Sequence, residues 1–221
     1  MSDFSDVELF EYCDSYENLR EKIIYEIIHQ IRYNKFIRGD YQNSKFSFWQ
    51  AIYNYDYFKE NKQYPRKFTG YKTYLFDFYN IKDNPTARVK KVKNQTGYFI
   101  DTYNGFDFKN EVNKFCNMYC VKLDIYTINP FELPQIFKIG EVGQFTEVIS
   151  LLVLPFREGL HFFLITDPNN VNGRLKSISY YNDLMQRKQL TAKELRSIPI
   201  KEFYDVALYE KLINELKNKL F

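Results

Sequence analysis

Two side chains have the types and setting for nucleophilic chemistry. Ser47 stands at the start of an aromatic-rich run, Asn43-Ser-Lys-Phe-Ser47-Phe-Trp-Gln-Ala-Ile52, which reads as a helix entered through the polar turn 40–44. His161 opens an apolar strand, His161-Phe-Phe-Leu-Ile-Thr166, just after a turn containing Gly159. A nucleophile at a helix start facing a histidine on an adjoining strand is an arrangement for acyl transfer, with the histidine as general base. The chemistry favours a low-pKa thiolate at that helix start, and serine is a poor nucleophile without a tuned base. The cysteines, Cys13, Cys116 and Cys120, lie elsewhere. Each candidate also has a structural reading: Ser47 as a helix N-cap, and His161 as a buried, hydrogen-bonded core histidine.

Other chemistries fail on inventory. His29 and His161 are far apart in the chain and no cysteines pair as CxxC, so neither a zinc site nor a disulfide framework is expected. Cys116 and Cys120, four apart on a helical segment, read as core thiols on one face. The eight glycines form no phosphate-loop or dinucleotide fingerprint, so no cofactor is expected. A net charge of +3 is too weak to imply nucleic acid by itself, although Arg88-Val-Lys-Lys-Val-Lys93 concentrates charge locally. Arg88, Lys90, Lys91 and Lys93 are the candidate phosphate contacts, with Tyr98, Phe99 and Tyr103 close by as stacking rings. The same alternation of Val with basic residues also suits an exposed edge strand.

These residues need a frame to position them. Three short apolar runs, 121–128, 147–154 and 160–166, read as strands of a mostly buried sheet, punctuated by Asn129-Pro130, Pro155 and Asp167-Pro168. Residues 5–37 carry a helical stripe of Leu19, Ile23, Ile27 and Ile31. Further helices are expected over 46–58, 107–119, 182–189 and 191–197, while 62–105 is the least regular stretch. The expected fold is α+β: an N-terminal helical layer on a small, mainly antiparallel sheet. The expected division is 1–40 N-terminal helices, 41–205 core domain and 206–221 a C-terminal amphipathic helix. On that last helix Tyr209, Leu212, Ile213, Leu216 and Leu220 form an apolar stripe that must cover this domain's core or a partner's groove, and partner docking is the expectation.

With 221 residues, 45% hydrophobic and 27% charged, the chain has an ordinary globular balance. Aromatics reach 19%, with 20 Tyr and 21 Phe, and are spread along the whole chain; AT-rich coding or an aromatic binding surface would each explain this. The acidic start has no signal pattern and no apolar run reaches the roughly 20 residues of a membrane helix. An intracellular, nuclear or cytoplasmic protein without membrane contact is expected.

The run Ser47-Phe-Trp-Gln-Ala-Ile52 resembles the nucleophile box of ovarian-tumour-type deubiquitinases, with Ser47 where their cysteine stands, and His161-Phe162 resembles their histidine strand. This implies a degenerate papain-like arrangement that binds ubiquitin without cleaving it. A second resemblance covers residues 46–171. Their order is similar to the N-terminal region of protein-primed family B DNA polymerases of Maverick/Polinton-type elements. It is carried by Tyr71-Lys-Thr-Tyr74, Val112-Asn-Lys-Phe115, Leu123-Asp-Ile-Tyr126, the apolar strand ending at Leu154, and His161-Phe-Phe-Leu-Ile-Thr-Asp167. That resemblance implies a domesticated accessory domain without polymerase carboxylates, a non-catalytic subunit of a nucleoprotein assembly with protein partners. A lineage-specific structural subunit of a large complex is the remaining expectation.

Overall fold

A computed structural model describes residue 31 and residues 34–39, 45–65, 70–82, 95–129, 135–156, 159–174 and 206–221. Helices α1 (Ser47–Asn61), α2 (Tyr71–Phe78), α3 (Gln95–Thr102), α4 (Phe108–Tyr119) and α5 (Val206–Leu220) accompany strands β1 (Ile37–Arg38), β2 (Val121–Asn129), β3 (Gln135–Val142), β4 (Glu147–Phe156) and β5 (Gly159–Ile165). The strands form one sheet in the order β1-β5-β4-β2-β3. Only β2 and β4 run parallel; the other neighbours are antiparallel, as an α+β fold requires.

The hairpin β4–β5 is the centre of the molecule because it is apolar on both faces. Ile149, Leu151, Val153, Phe162 and Leu164 point into one layer with α1, α2 and α4. Leu152, Leu154, Phe163 and Ile165 point into the other, against Ile31, Ile37, Ile128, Ile136 and Val171. Strand alternation makes this possible: successive side chains leave opposite faces, so a continuous apolar run serves two cores.

Much of the aromatic content fills the α1 layer. Phe48 stacks on Phe106 at 3.8 Å and meets Phe115 and Phe162 edge-on. The Trp49 indole donates to the Tyr103 hydroxyl at 2.7 Å, and the Tyr79 hydroxyl donates to Glu111 Oε2 at 2.6 Å. Glu111 also accepts the Asp107 N–H, while the Asp107 side chain caps α4 through the Asn110 N–H. One polar chain therefore fixes the start of α4 against α2. Burial, then the bond to Glu111, raises the Tyr79 phenol far above its ordinary value.

Three expectations are corrected. The 62–105 stretch holds two helices, α2 and α3, short enough for Gly70, Gly97 and Gly105 to hide their periodicity. Strand β3 was not anticipated: Gln135-Ile-Phe-Lys-Ile-Gly-Glu-Val142 mixes charged residues with Gly140, and only Ile136 in it is buried. Ile37, the last residue of the 5–37 segment expected to be helical, instead forms with Arg38 a two-residue strand on β5. The expected helices at 182–189 and 191–197 lie outside the described residues, as does His29.

The C-terminal stripe packs inward rather than toward a partner. Leu216 and Leu220 enter the α1 layer and Leu212 the opposite one, each essentially inaccessible, while Ile213 is half-buried. Tyr209 lies on the first turns of α5, its side chain outside the described residues. Phe221 lays its ring over Gly140, where an added Cβ would meet it at 2.2 Å. The helix thus belongs to this domain, and no separate docking element at 206–221 is needed to account for its leucines. Replacing Leu216 with Ala is expected to lower unfolding free energy by about 2–5 kcal/mol, read by urea denaturation, since a wholly buried leucine leaves a cavity.

Candidate functional site

The site around Ser47 is set by an unfinished sheet edge. Strand β1 covers β5 only at Leu164 and Ile165. The Thr166 N–H donates across that edge to the Phe36 carbonyl at 2.8 Å. Ladder parity turns the N–H of Phe162, four residues earlier, toward the same edge, beyond the reach of β1. Ser47 completes it: the Phe162 N–H donates to Ser47 Oγ at 3.0 Å, and the bond is buried. The residue preceding Ser47, Phe46, occupies the N-cap position of α1 and gives no side-chain cap. Ser47 is accordingly the first helical residue, not the cap expected from its hydroxyl.

This contact brings Ser47 beside the His161–Phe162 peptide. The two side chains nevertheless belong to different surroundings. Phe162 faces the α1 layer, whereas the His161 ring stacks on Phe163 with centroids 4.5 Å apart and planes 9° apart. Phe163 belongs to the opposite layer, so the imidazole leaves the sheet on the face away from α1. Ser47 and His161 are each 1% exposed. An acyl-transfer substrate must reach both groups from solvent, and here both are closed off.

Neither described cysteine replaces the missing nucleophile. Cys116 is buried, and burial pushes its thiol up to about 11, far from the thiolate that attack requires. Cys120 is exposed at the C-cap of α4 in the left-handed region, φ 54°, rather than sharing a core face with Cys116. Among the described residues, no three His, Cys, Asp or Glu side chains gather so that they could hold a metal ion.

The basic run Arg88, Lys90, Lys91 and Lys93 lies outside the described residues. Of its aromatic neighbours, Tyr103 is buried and accepts the Trp49 indole, and Phe99 is half-buried against Tyr79 and Tyr103. Those two rings are turned into the core and are not presented for base stacking. No described helix is long and apolar enough to cross a membrane.

Asn172 was not singled out by its sequence setting, yet it does for β3 what Ser47 does for β5. The Ile136 N–H donates to Asn172 Oδ1 at 2.5 Å and Asn172 Nδ2 donates back to the Ile136 carbonyl at 3.1 Å. A single amide so occupies both outward backbone groups of an edge residue. The Asn/Gly loop that carries it gives no periodic signal, and only a sheet order with β3 outermost makes the role visible.

No protein-family model, no curated protein sequence and no solved structure matches this chain. Ser47→Ala is expected to cost about 1–3 kcal/mol of unfolding free energy, because it leaves the buried Phe162 N–H without an acceptor. Urea denaturation measures that loss, and in hydrogen exchange the Phe162 amide should exchange faster than in the native protein.

Proposed function

We propose that this chain is a non-catalytic accessory or scaffold subunit of a nucleoprotein assembly. The observation that carries the non-catalytic part is the bond from the Phe162 N–H to Ser47 Oγ, made where Ser47 and His161 are both closed to solvent. At the position of a nucleophile, the chain uses a hydroxyl to complete a sheet edge. At the position compared with a general base, the His161 imidazole stacks on Phe163 in a mainly aliphatic layer. Ser47 holds the sheet edge, and His161 faces away from it.

The nucleoprotein part is supported by the similarity of residues 46–171 to the N-terminal region of protein-primed polymerases and by the charge at Arg88, Lys90, Lys91 and Lys93. Protein partners follow from the same reading, since an accessory domain acts through the assembly it joins.

Two measurements test it. Ser47→Cys restores the residue of the similar protease box; a ubiquitin vinyl-sulfone-type probe is expected to leave this variant unlabelled, because the site admits no substrate. Labelling that requires His161 would overturn the non-catalytic reading. For the nucleic-acid part, neutralising all four basic residues is expected to flatten the dependence of log affinity on log salt for duplex DNA. Each lost phosphate contact lowers that slope by about 0.9. Binding that persists with an unchanged slope removes these residues from the interface.

A further inference from the structure

A face built by α1, α2 and α4 carries a run of tyrosines that the core does not absorb. Tyr53 and Tyr57, one turn apart on α1, have ring centroids 5.8 Å apart. Tyr74 of α2 stands 6.4 Å from Tyr53, and Tyr119 of α4 stands 6.1 Å from Tyr74. All four are half-buried, and Met118, the residue before Tyr119 on α4, is 49% exposed. The Tyr53 ring lies where a Cβ on Gly70 would stand, 2.3 Å from its Cζ, so glycine lets the α2 entry pass under the ring. Tyr119 donates its hydroxyl to the Tyr74 carbonyl at 3.4 Å, which ties α4 to α2. Tyrosine and methionine on a rigid, half-exposed surface are the composition of protein-binding hot spots rather than of ordinary solvated surface.

Among the described residues, the carboxylates Asp56, Glu60 and Asp77 act on this face, with the Lys59–Glu147 ion pair beside Asp56. Burial pushes the Tyr119 phenol up to about 12, and the carboxylates Asp77 and Asp56 push it the same way. Tyr74 is raised by burial, then by its bond to Asp56, with Glu60 acting in the same sense. Of the described cations, Lys59 lies near Asp56 and Glu60 but bonds Glu147 at 2.6 Å, and Lys114 lies over the Phe78 ring while donating to the Phe78 carbonyl. In a chain of net charge +3, this is a locally acidic, aromatic surface.

We infer that this face docks an arginine-bearing segment of a partner protein, with the tyrosines stacking the guanidinium planes and Asp56, Glu60 and Asp77 receiving their charge. Arginine fits better than lysine because its planar, weakly hydrated guanidinium both stacks on aromatic rings and forks onto carboxylates. The inference rests on the scaffold reading for its protein partner. It is tested apart from the Ser47→Cys labelling, so the two can fail separately.

The probe is fluorescein-labelled nona-arginine, with nona-lysine and nona-glutamate as comparisons, titrated against the full chain and followed by anisotropy. The expected result is binding in the order arginine, lysine, with none for glutamate. The paired change Glu60→Gln with Asp77→Asn is expected to weaken nona-arginine about tenfold. Both residues are exposed, and an unchanged thermal melt shows that the fold is kept. Tyr57→Ala is expected to bring arginine affinity down to that of lysine, while Glu141→Gln on strand β3, whose carboxylate is already held by Lys122 and Lys138, leaves it unchanged. Equal affinity of the paired variant and the parent would overturn the proposal. So would an equal loss in Glu141→Gln, or self-association of the chain through the same four tyrosines.

Discussion

The constraint on which the rest depends is that β4 and β5 are apolar on both faces. Such a hairpin is stable only if two separate layers cover it, and the chain supplies them from distant segments. The helices α1, α2 and α4 take one face, while Ile31, Ile37, Val171 and Leu212 contribute to the other. Helix α5 serves both, with Leu212 in one layer and Leu216 and Leu220 in the other. Every buried strand also has backbone donors in its plane, which apolar layers above and below cannot satisfy. The sheet must therefore be closed laterally as well.

Lateral closure is done with side chains. A two-residue strand covers part of β5, and Ser47 Oγ accepts the next outward N–H. At the other end, Asn172 takes both outward groups of Ile136, and the ring of Phe221 lies over Gly140 two turns of the pleat farther on. Near the same strand, Lys138 bridges Asp124 at 2.9 Å and also pairs with Glu141, so the exposed face of β2 and β3 is charged. Edges treated in this way resist pairing with other chains. The same economy accounts for the Ser47 hydroxyl, which is an in-plane acceptor for the sheet.

The aromatic richness also divides by place. Phe48, Trp49, Phe106 and Phe115 make a packed interior in which edge-to-face contacts predominate. Tyr53, Tyr57, Tyr74 and Tyr119 ring that interior on the outside, with the Tyr74 and Tyr119 hydroxyls near carboxylates or a backbone carbonyl. Phenylalanine and tryptophan are drawn inward by the loss of apolar surface, whereas a phenol is most stable with its ring half-covered and its hydroxyl at a polar rim. One compositional bias thus yields both a packed core and a half-exposed tyrosine face.

The sequence alone determined the elements whose signal is local. Continuous apolar runs marked β2, β4 and β5 nearly to the residue, Asp107 and its apolar face marked α4, and the leucine stripe marked α5. From these the α+β class followed. What the sequence left open was every question of which side chain faces what. Strand β3 escaped because an outermost strand is half-solvated and carries Lys138, Gly140 and Glu141 among its apolar residues. The direction of α5 was undecided because an amphipathic stripe has the same periodicity whether it covers its own core or another's. Ser47 and His161 share an order along the chain with nucleophile and base, but order does not encode the face of a strand. Only the tertiary structure decides that, since the period of two along β5 sends Phe162 toward α1 and His161 away from it.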